Sequence, residues 1–469
     1  MNMKRNLKYK ILNILLVLAT ISACTMEPKY IQPKAEVPFK EQNKNKAKIA
    51  TISWEEFFKS HDLQRVIKLA LDNNRDLRVA NLNIESVQAN YGIVRSNLFP
   101  TINATALETR QGVPSAFAGF TPKKQFRANI TLASYEVDFF GRLRSLKKSA
   151  MEDFLASEQA RNVTKIALIS ETANAYAQLL LDRQLLKIAE ENLEAQNKKY
   201  KFSELRYKNG IDSQTGLLNA EALLETSKTN RETYVKLVEQ DENALMLLMG
   251  SFDKKNLPKD NALSNIEIAE NLLNFIPSED LLSRPDIKQA EHNLKSANAN
   301  IGAARAAFFP SITLTGSYGY GSNNLSNLFS SKTWSFTPQI NLPIFTGGRN
   351  SANLDMANIK KKIEIAEYEK AIQTAFRETL DQLAQRESVS NQLKSYDKIL
   401  EARKKSYDIS INRHLEGINS SPNVLDDKIS LLSAQQNQAL IKKEYIANLV
   451  ILYKVLGGGS ETEEVTNID

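Results

Sequence analysis

The stretch from Arg142 to Asn209 contains neither glycine nor proline, and its apolar residues recur at helical spacing. At 1.5 Å per residue, one continuous helix over this stretch would be about 100 Å long. A helix of that length is not a packing element of a compact globular domain. Similar helical patterns cover five further stretches, which are Trp54 to Leu98, Gln214 to Met249, Glu279 to Phe308, Asn350 to Arg413 and Pro422 to Leu456.

The chain also repeats itself. The segment from Asp76 to Pro100 aligns without a gap to the segment from Asp286 to Pro310. A second pair of segments, which begin at Arg206 and Arg413, aligns around the turn glycines Gly210 and Gly417. The chain is therefore interpreted as two copies of one structural unit, predicted to span residues 54–260 and 261–459.

Each copy contains two short segments in which polar residues alternate with larger or apolar residues, the period of a β-strand. They lie at about 101–111, 125–139, 311–321 and 333–345. Each is close to the ~9–11 residues that a tilted transmembrane strand needs.

The end of the second strand shows how its two faces differ in character. Tyr135 and Val137 share one face, and Glu136 and Asp138 share the other. This pattern predicts a membrane barrel wall, with apolar groups toward lipid and Glu136 and Asp138 toward an aqueous lumen. A catalytic carboxylate pair is the competing interpretation, but no histidine accompanies the two carboxylates.

Four strands cannot close a membrane barrel, because the smallest such barrels use about eight strands. An open edge in lipid leaves unpaired backbone groups that cost several kcal/mol each. The barrel must therefore be shared between chains. Two copies would give eight strands around a filled lumen, and three would give twelve strands around water.

The one cysteine of the chain, Cys24, ends its one long apolar run. Residues 1–23 have the charged start and short apolar core of a secretory signal peptide. The small residues before Cys24 resemble a bacterial lipobox, which implies a covalent lipid on the Cys24 sulfur. A buried structural cysteine is the alternative. A single cysteine excludes an internal disulfide and cysteine-rich metal or redox sites.

Charge and motifs exclude several other classes of function. Removing residues 1–23 takes away four cations and no anion, which lowers the formal net charge from +7 to +3. The interspersed charges that remain are typical of solvated helix faces, and they do not predict nucleic-acid binding. The three histidines are dispersed without metal-ligand spacing, and no catalytic or phosphate-binding motif occurs. We therefore expect neither an enzyme nor a cofactor other than the covalent lipid.

Several motifs in register resemble the TolC-like outer-membrane efflux factors, and most closely their lipid-anchored OprM and NodT branch. They are YEVDFFGRLR from Tyr135, LLSRPDI from Leu281, LPIFTGGR from Leu342, the turns at Gly210 and Gly417, and YKVLGGG from Tyr453.

The resemblance implies an α+β membrane protein that assembles as a homotrimer. Its twelve-stranded outer-membrane barrel, with four strands per chain, would continue into a long periplasmic α-helical barrel. It would serve as the passive exit duct of a tripartite pump, joined to a periplasmic adaptor protein and an inner-membrane pump. Residues 24–53 would be a lipid-anchored extended segment, and we expect the polar tail at 460–469 to be disordered.

The resemblance also places a closing ring at the second helical turn, with a carboxylate where Asp426 stands. Pro422, Asp426 and Asp427 are therefore candidate gate residues, although the family often has a bulky apolar residue where this chain has Pro422. Asn219 stands at the position equivalent to Asp426 in the first repeat. The alternative is that both aspartates only favour the dipole of a helix start.

Two other classes of function stay open at this stage. A structural coiled-coil envelope lipoprotein without a pore would explain the helices and Cys24, but it would leave the four amphipathic strands unexplained. A lipid-anchored periplasmic enzyme would lack any catalytic cluster.

Overall fold

The computed structural model describes residues 25–34, 52–112, 124–259, 262–273 and 281–460. The predicted signal peptide, Cys24, most of the segment at 24–53 and residues 461–469 of the predicted tail lie outside the described residues.

Long helices and a single sheet make up the described part of the chain. We number the elements in chain order as follows: α1 Trp54–Phe57, α2 His61–Asn73, α3 Arg75–Ser96, β1 Ile102–Arg110, β2 Lys124–Val137, α4 Arg142–Lys208, α5 Gln214–Leu248, α6 Pro285–Ala306, β3 Ser311–Ser322, β4 Lys332–Asn341, α7 Arg349–Leu415 and α8 Ser421–Val455.

The element order shows the internal repeat directly. In both copies a helix of 22 residues leads into two strands, which are followed by a helix of 67 residues and a helix of 35 residues. The α+β class and the two internal repeats predicted from the sequence are confirmed.

The pattern from Trp54 to Leu98 is divided among three helices rather than forming a single one. Ser60 and Asn74 have extended backbone conformations and lie at the two breaks. The Asn74 side chain accepts hydrogen bonds from the backbone N–H groups of Asp76 and Leu77 at 2.9 and 3.1 Å. Asn74 therefore caps α3, and such a cap satisfies donors that a helix start leaves open. Hydrophobic spacing alone does not locate breaks of this kind.

The described residues form two compact units, and the first contains the sheet. It comprises residues 25–34, 83–112, 124–158 and 289–370. Its four strands are antiparallel in the order β1-β2-β3-β4. Each repeat thus contributes one hairpin, and the two hairpins join through β2 and β3.

Residues 25–34 have no regular secondary structure and contact helices of the first unit. Glu27 pairs with Lys148 of α4 at 2.8 Å, and the fully buried Asn298 of α6 donates to Glu27 at 3.1 Å and to the Pro28 carbonyl at 2.8 Å. Farther along, Gln32 donates to the Tyr368 hydroxyl of α7 at 3.0 Å. The segment that follows Cys24 is therefore held by side chains from three helices.

The second unit comprises residues 52–82, 159–259, 262–273, 281–288 and 371–460. In its core, the Tyr453 ring of α8 stacks on Phe57 at 4.4 Å and meets the edge of Phe58 at 5.9 Å. The buried Tyr453 hydroxyl donates to the Ile52 carbonyl at 3.0 Å, so its polar atom is satisfied. This cluster fixes the start of the first repeat to the end of the second.

A carboxyl pair lies between α4 and α5 in the second unit. Asp182 is buried and accepts a hydrogen bond from Gln178 at 3.0 Å. Burial raises the pKa of Asp241 to about 7, and hydrogen bonding to Asp182 and its nearby charge act in the same direction, whereas Lys443 of α8 opposes them. The folded protein therefore holds a proton at Asp241 that an unfolded chain releases near pH 4.

The sign of the resulting pH dependence follows from this raised pKa. Because the folded state binds the extra proton, the free energy of unfolding falls as pH rises from about 4 through about 7. Asp241→Asn removes this loss, and we expect it to stabilise each protomer at pH 8 by about 1–2 kcal/mol after allowance for partial exposure, with little effect at pH 4.5. Thermal unfolding followed by circular dichroism at both pH values measures the difference. An equal effect of the substitution at pH 4.5 and pH 8 would contradict the assignment.

Candidate functional site

The sheet has one apolar face. Cross-strand pairing puts Ile130 of β2, Tyr318 of β3 and Trp334 of β4 on this face, together with the residues that alternate with them. Trp334 is 77% exposed and Ile340 is 70% exposed in the single chain. The apolar residues of this face are Ile102, Ala104, Ala106, Phe126, Ala128, Ile130, Leu132, Tyr135, Val137, Ile312, Leu314, Gly316, Tyr318, Tyr320, Trp334, Phe336, Pro338 and Ile340. An exposed apolar surface of this extent indicates contact with lipid or with another protein.

The opposite face of the sheet is polar. It carries Arg127 and Glu136 and a series of threonine, serine, asparagine and glutamine side chains, and its paired residues without a polar side chain are Leu107, Gly319 and Gly321. Gly319 on this face lies under Asn129, where an added Cβ would come within 2.1 Å of the Ala128 carbonyl oxygen. An antiparallel sheet that is apolar on one side and polar on the other meets the requirement for a wall between lipid and water.

A β-bulge in β2 keeps the apolar residues of this strand on one face of the sheet along its whole length. Leu132 pairs with Gly316, whereas Tyr135 pairs with Leu314, so β2 contains one residue more than β3 over this interval. Ser134 lies in the bulge with φ of 40°, an uncommon conformation for a residue other than glycine. Because of the extra residue, Leu132 and Tyr135 are on the same face despite their odd separation in sequence. Strict alternation along β2 does not predict this.

Aromatic rings occupy both ends of the apolar face. Tyr318 lies directly opposite Trp334 near the end where the connecting loops lie. Tyr135 lies near the end where the helices begin, and its hydroxyl donates to the Leu98 carbonyl at 3.2 Å. Rings with a polar edge are favoured at membrane interfaces, and on this ground we expect Tyr135, Tyr318 and Trp334 to lie near them. That assignment stays a prediction.

The carboxylates predicted to face the lumen lie where β2 gives way to α4. Glu136 pairs with Arg142 at 2.6 Å, in a two-point contact. Asp138 follows the last residue of β2 and is not a strand residue, which corrects the predicted strand at 125–139. It accepts hydrogen bonds from the backbone N–H groups of Leu143 and Arg144 at 3.0 and 2.9 Å, so it caps α4. That the two carboxylates face water inside a barrel stays a prediction.

The outer edges of the sheet are open. Within the described residues, β1 pairs only with β2 and β4 pairs only with β3. One chain therefore presents two unpaired strand edges beside an apolar face, and a lipid environment cannot hydrogen-bond to those backbone groups.

Two helical turns form the second candidate site, in the second unit. Gly210 has φ of 67° and Gly417 has φ of 76°, a backbone region that favours glycine. At the first turn, Ile211 N–H donates to the Arg206 carbonyl at 2.9 Å. At the second turn, Ile418 N–H donates to the Arg413 carbonyl at 2.8 Å. α4 and α7 therefore end in the same glycine motif, in which backbone N–H groups beyond the helix donate hydrogen bonds to carbonyl groups of its last turn.

The candidate gate residues lie in the first two turns of α8. The helix begins at Ser421 with Ser420 at its N-cap position, and Pro422 is the second helical residue. Asp426 is exposed and forms an ion pair with Lys199 of α4. Asp427 is half-buried. Their role in a gate stays a prediction.

Ion pairs between the two repeats were missed by the sequence analysis. Besides Lys199 with Asp426, Lys428 of α8 lies 3.7 Å from Glu191 of α4. Single-sequence patterns carry no signal for such pairs, because the partners are more than two hundred residues apart. In the second turn His414 lies 2.7 Å from the Asn419 carbonyl and 3.3 Å from the Ser421 hydroxyl, which ties the turn to the start of α8.

The described residues contain no further candidate of two kinds, a membrane-spanning helix and a metal site. No described helix is both long enough and apolar enough to cross a membrane. The described residues also contain no group of three or more His, Cys, Asp or Glu side chains placed to hold a metal ion.

An antiparallel sheet with one apolar and one polar face, joined at one end to long helices, defines the class of outer-membrane channel proteins with a helical extension. The family model described as "Outer membrane efflux protein" matches residues 66–251 and 276–458. By this match, which covers more than half of the residues, the chain belongs to the outer membrane efflux protein family. The resemblance stated from the sequence and the outer-membrane location are thereby confirmed.

Individual relatives agree with this result over nearly the whole chain. The chain is 40% identical to the probable efflux pump outer membrane protein TtgC of Pseudomonas putida, over 94% of this chain and 93% of the relative. It is 35% identical to the outer membrane protein OprJ of Pseudomonas aeruginosa, over 95% of each. The open state of the MtrE outer membrane channel of Neisseria gonorrhoeae superposes with a TM-score of 0.83 at 36% identity, covering 94% of this chain and all of that one.

The two faces of β4 allow a matched test. Ile340 is on the apolar face and its neighbour Gln339 is on the polar face. Ile340 lies near the helix end of β4, where a cation on the lipid-facing side costs about 0–1 kcal/mol rather than the about 2–4 kcal/mol of the bilayer midplane. We therefore expect Ile340→Lys to reduce the assembled oligomer in outer membranes modestly, as Val137→Lys should also do. Gln339→Lys should assemble like the unaltered protein. Native gels of purified outer membranes measure the assembled fraction, and equal assembly of the two variants would refute the assigned faces.

Proposed function

We propose that three copies of this chain form the passive exit duct of a tripartite efflux pump. The observation that carries this proposal is the four-stranded sheet, which is apolar on one face, polar on the other and open at both edges. Pairing β4 of one copy with β1 of the next satisfies both edges, and repeating this step closes a barrel without a free edge. The apolar faces then contact lipid.

The polar face favours three copies over two. Eight strands leave an interior just wide enough for side chains to fill, whereas twelve leave room for water. Arg127, Glu136 and the many hydroxyl and amide groups of the polar face need water or partners, and an aqueous lumen supplies them. The homotrimer implied by the family resemblance agrees with this reasoning.

The partners of the duct follow from the family. TtgC is described as an efflux pump outer membrane protein, and an outer-membrane duct needs an energised component elsewhere. We infer that this chain docks with a periplasmic adaptor protein, which joins it to an inner-membrane pump. The duct itself moves solutes passively and performs no catalysis, so it needs no cofactor beyond the lipid on Cys24.

Closure of the duct is assigned to the helical turns around Gly210 and Gly417. Each protomer would contribute Asp426 and Asp427 from the start of α8, so that three protomers form a ring of carboxylates. The pairing of Lys199 with Asp426 supports this assignment, because it fixes the carboxylate at the helix start and joins the two repeats there. An adaptor that draws the hairpins apart would widen the ring.

Oligomer mass and conductance together test the proposed function. Native mass spectrometry of the detergent-purified protein should give a trimer, and the same preparation should conduct ions in planar bilayers. A trimer without conductance in any variant would favour the structural coiled-coil lipoprotein instead. A monomer or dimer would contradict the shared barrel.

Single-channel recording of gate variants tests the carboxylate ring. Asp426→Ala and Asp427→Ala should each raise the open conductance severalfold and weaken block by divalent cations, because each removes three negative charges from the constriction. Lys199→Met is the matched variant, since it leaves Asp426 in place without its partner and should strengthen cation block. If all three variants stay as closed as the unaltered channel, with unchanged cation block, these residues do not form the gate.

Lipid labelling tests the role of Cys24. Cys24→Ser should abolish incorporation of a labelled fatty acid, whereas some assembled trimer should remain, because the barrel is embedded in the membrane independently of the acyl chains. Contacts of residues 25–34 with α4, α6 and α7 should hold this segment in place in both forms. Fatty-acid labelling that persists in the variant would disprove the lipid site.

A further inference from the structure

The apolar face of the sheet carries charge only at one end. Among the described strand residues, the charged side chains on this face are Glu108, Arg110, Lys124 and Lys332. All four lie at the end where the strands are connected by loops, whereas the other end of the sheet leads into the helices. In an outer-membrane barrel with periplasmic helices, the loop end is the external one. The charges therefore lie where the lipid-facing wall meets the outer surface of the membrane.

These charges leave an excess of positive charge on each protomer. The Glu108 carboxylate forms ion pairs with Arg110 of the same strand and with Lys124 of β2, the latter at 3.4 Å. One anion is thus shared by two cations. Lys332 of β4 is exposed and forms no ion pair with another described residue.

Closure of the barrel would gather the cations at a seam between protomers. Arg110 is on β1 and Lys332 is on β4, the two strands whose outer edges are open. When β4 of one protomer pairs with β1 of the next, Lys332 comes to the strand pair that carries Arg110 and Lys124. The site is therefore incomplete in one chain and rests on the proposed barrel.

Aromatic rings surround the cations on the lipid side. Lys332 is directly opposite Tyr320, and two residues farther along β4 is Trp334. The Lys124 ammonium lies 4.8 Å from the centre of the Phe126 ring. Aromatic rings with a polar edge and long cationic side chains are the groups that favour the headgroup level of a membrane.

The connection between β3 and β4 extends this surface. Phe329 packs edge-on against Tyr320, with ring centres 5.4 Å apart, so the connection lies on the apolar side of the sheet. Its Leu325 is 65% exposed and its Phe329 is 72% exposed. Apolar side chains at this place suit the region just beneath lipid headgroups.

We propose that Arg110, Lys124 and Lys332 bind the phosphate groups of a phosphorylated lipid in the outer leaflet, at the seams of the trimer. Ammonium and guanidinium groups bind phosphate oxygens through charge-assisted hydrogen bonds. The acyl chains of the lipid lie along the apolar face below, on Trp334 and its neighbours. The partner is thus a membrane lipid with an anionic headgroup, and neither a free anion nor a protein is required.

Native mass spectrometry of the trimer with diphosphorylated lipid A and with a dephosphorylated form of the same lipid tests this proposal. EDTA is present, so that divalent cations cannot bridge phosphates to carboxylates. The unaltered trimer should prefer the diphosphorylated lipid. The double variant Lys124→Gln, Lys332→Gln should bind it about 30-fold more weakly, since each cation near a membrane surface contributes about fivefold in affinity and the two contributions multiply.

Arg127→Gln is the matched control. Arg127 is on the same strand as Lys124 but on the polar face, so its loss should leave lipid binding unchanged. Equal affinity of the double variant and the unaltered trimer for the diphosphorylated lipid would overturn the proposal. Displacement of the lipid by an equal concentration of inorganic phosphate would also overturn it, in favour of a simple anion site.

Trimer mass and channel conductance distinguish a failure of the lipid site from a failure of the proposed function. Trimer mass without added lipid is recorded for every variant. If Lys332→Gln dissociates the lipid-free trimer, Lys332 holds protomers together rather than binding lipid, and the lipid site is wrong. If the unaltered protein forms no conducting trimer, the proposed function fails. A conducting trimer without preference for the phosphorylated lipid contradicts only the lipid site.

Discussion

The unpaired backbone groups on the outer edges of β1 and β4 impose the constraint on which the rest of the structure depends. In water such edges are tolerated, but in hydrocarbon each unpaired N–H or C=O group costs several kcal/mol. A sheet of four strands cannot curl far enough for the outer edges of β1 and β4 to pair with each other. Oligomer formation is therefore a condition for inserting this sheet in a membrane, and the trimer is part of the fold of each chain rather than a later association.

The alternation of the two faces must then hold across every strand, because one misplaced residue would put a polar side chain in lipid. β2 is the strand where simple alternation fails, since Leu132 and Tyr135 are separated by an odd number of residues. The bulge at Ser134 puts Tyr135 back on the apolar face, and it requires an unfavourable φ of 40° at Ser134. Below the bulge, Glu136 returns to the polar face and pairs with Arg142 at the start of α4. The bulge thus links the lipid-facing wall to the start of α4, one of the two helices of 67 residues.

Sequence patterns predicted the long helices and the four strands well, because both rest on periodicity that one chain displays. The helix predicted from Arg142 ends within a residue of its observed end, since Gly210 follows it. Features that depend on a single side chain were harder to predict from the sequence. Asp138 continues the alternation of β2 in sequence, yet its carboxylate caps α4 because two helix N–H groups lie within reach. The pair between Lys199 and Asp426 joins the two repeats, and no local pattern encodes it.

The two repeats share the order and lengths of their helices and strands, but they differ at positions that contact a segment present only once per chain. Gly92 and Gly302 are equivalent in the alignment of the repeats, yet a Cβ at Gly92 would meet nothing within 4 Å, whereas one at Gly302 would lie 2.9 Å from the Cα of Glu27. The segment that follows Cys24 is present once per chain and can cover only one of the two equivalent helices. The carboxylate of Asp426 follows the same logic, since the equivalent position in the first repeat is Asn219. Because each chain contains two similar repeats, three chains would give six similar units around the barrel axis. Residues that are present in only one repeat reduce this approximate sixfold symmetry to threefold symmetry.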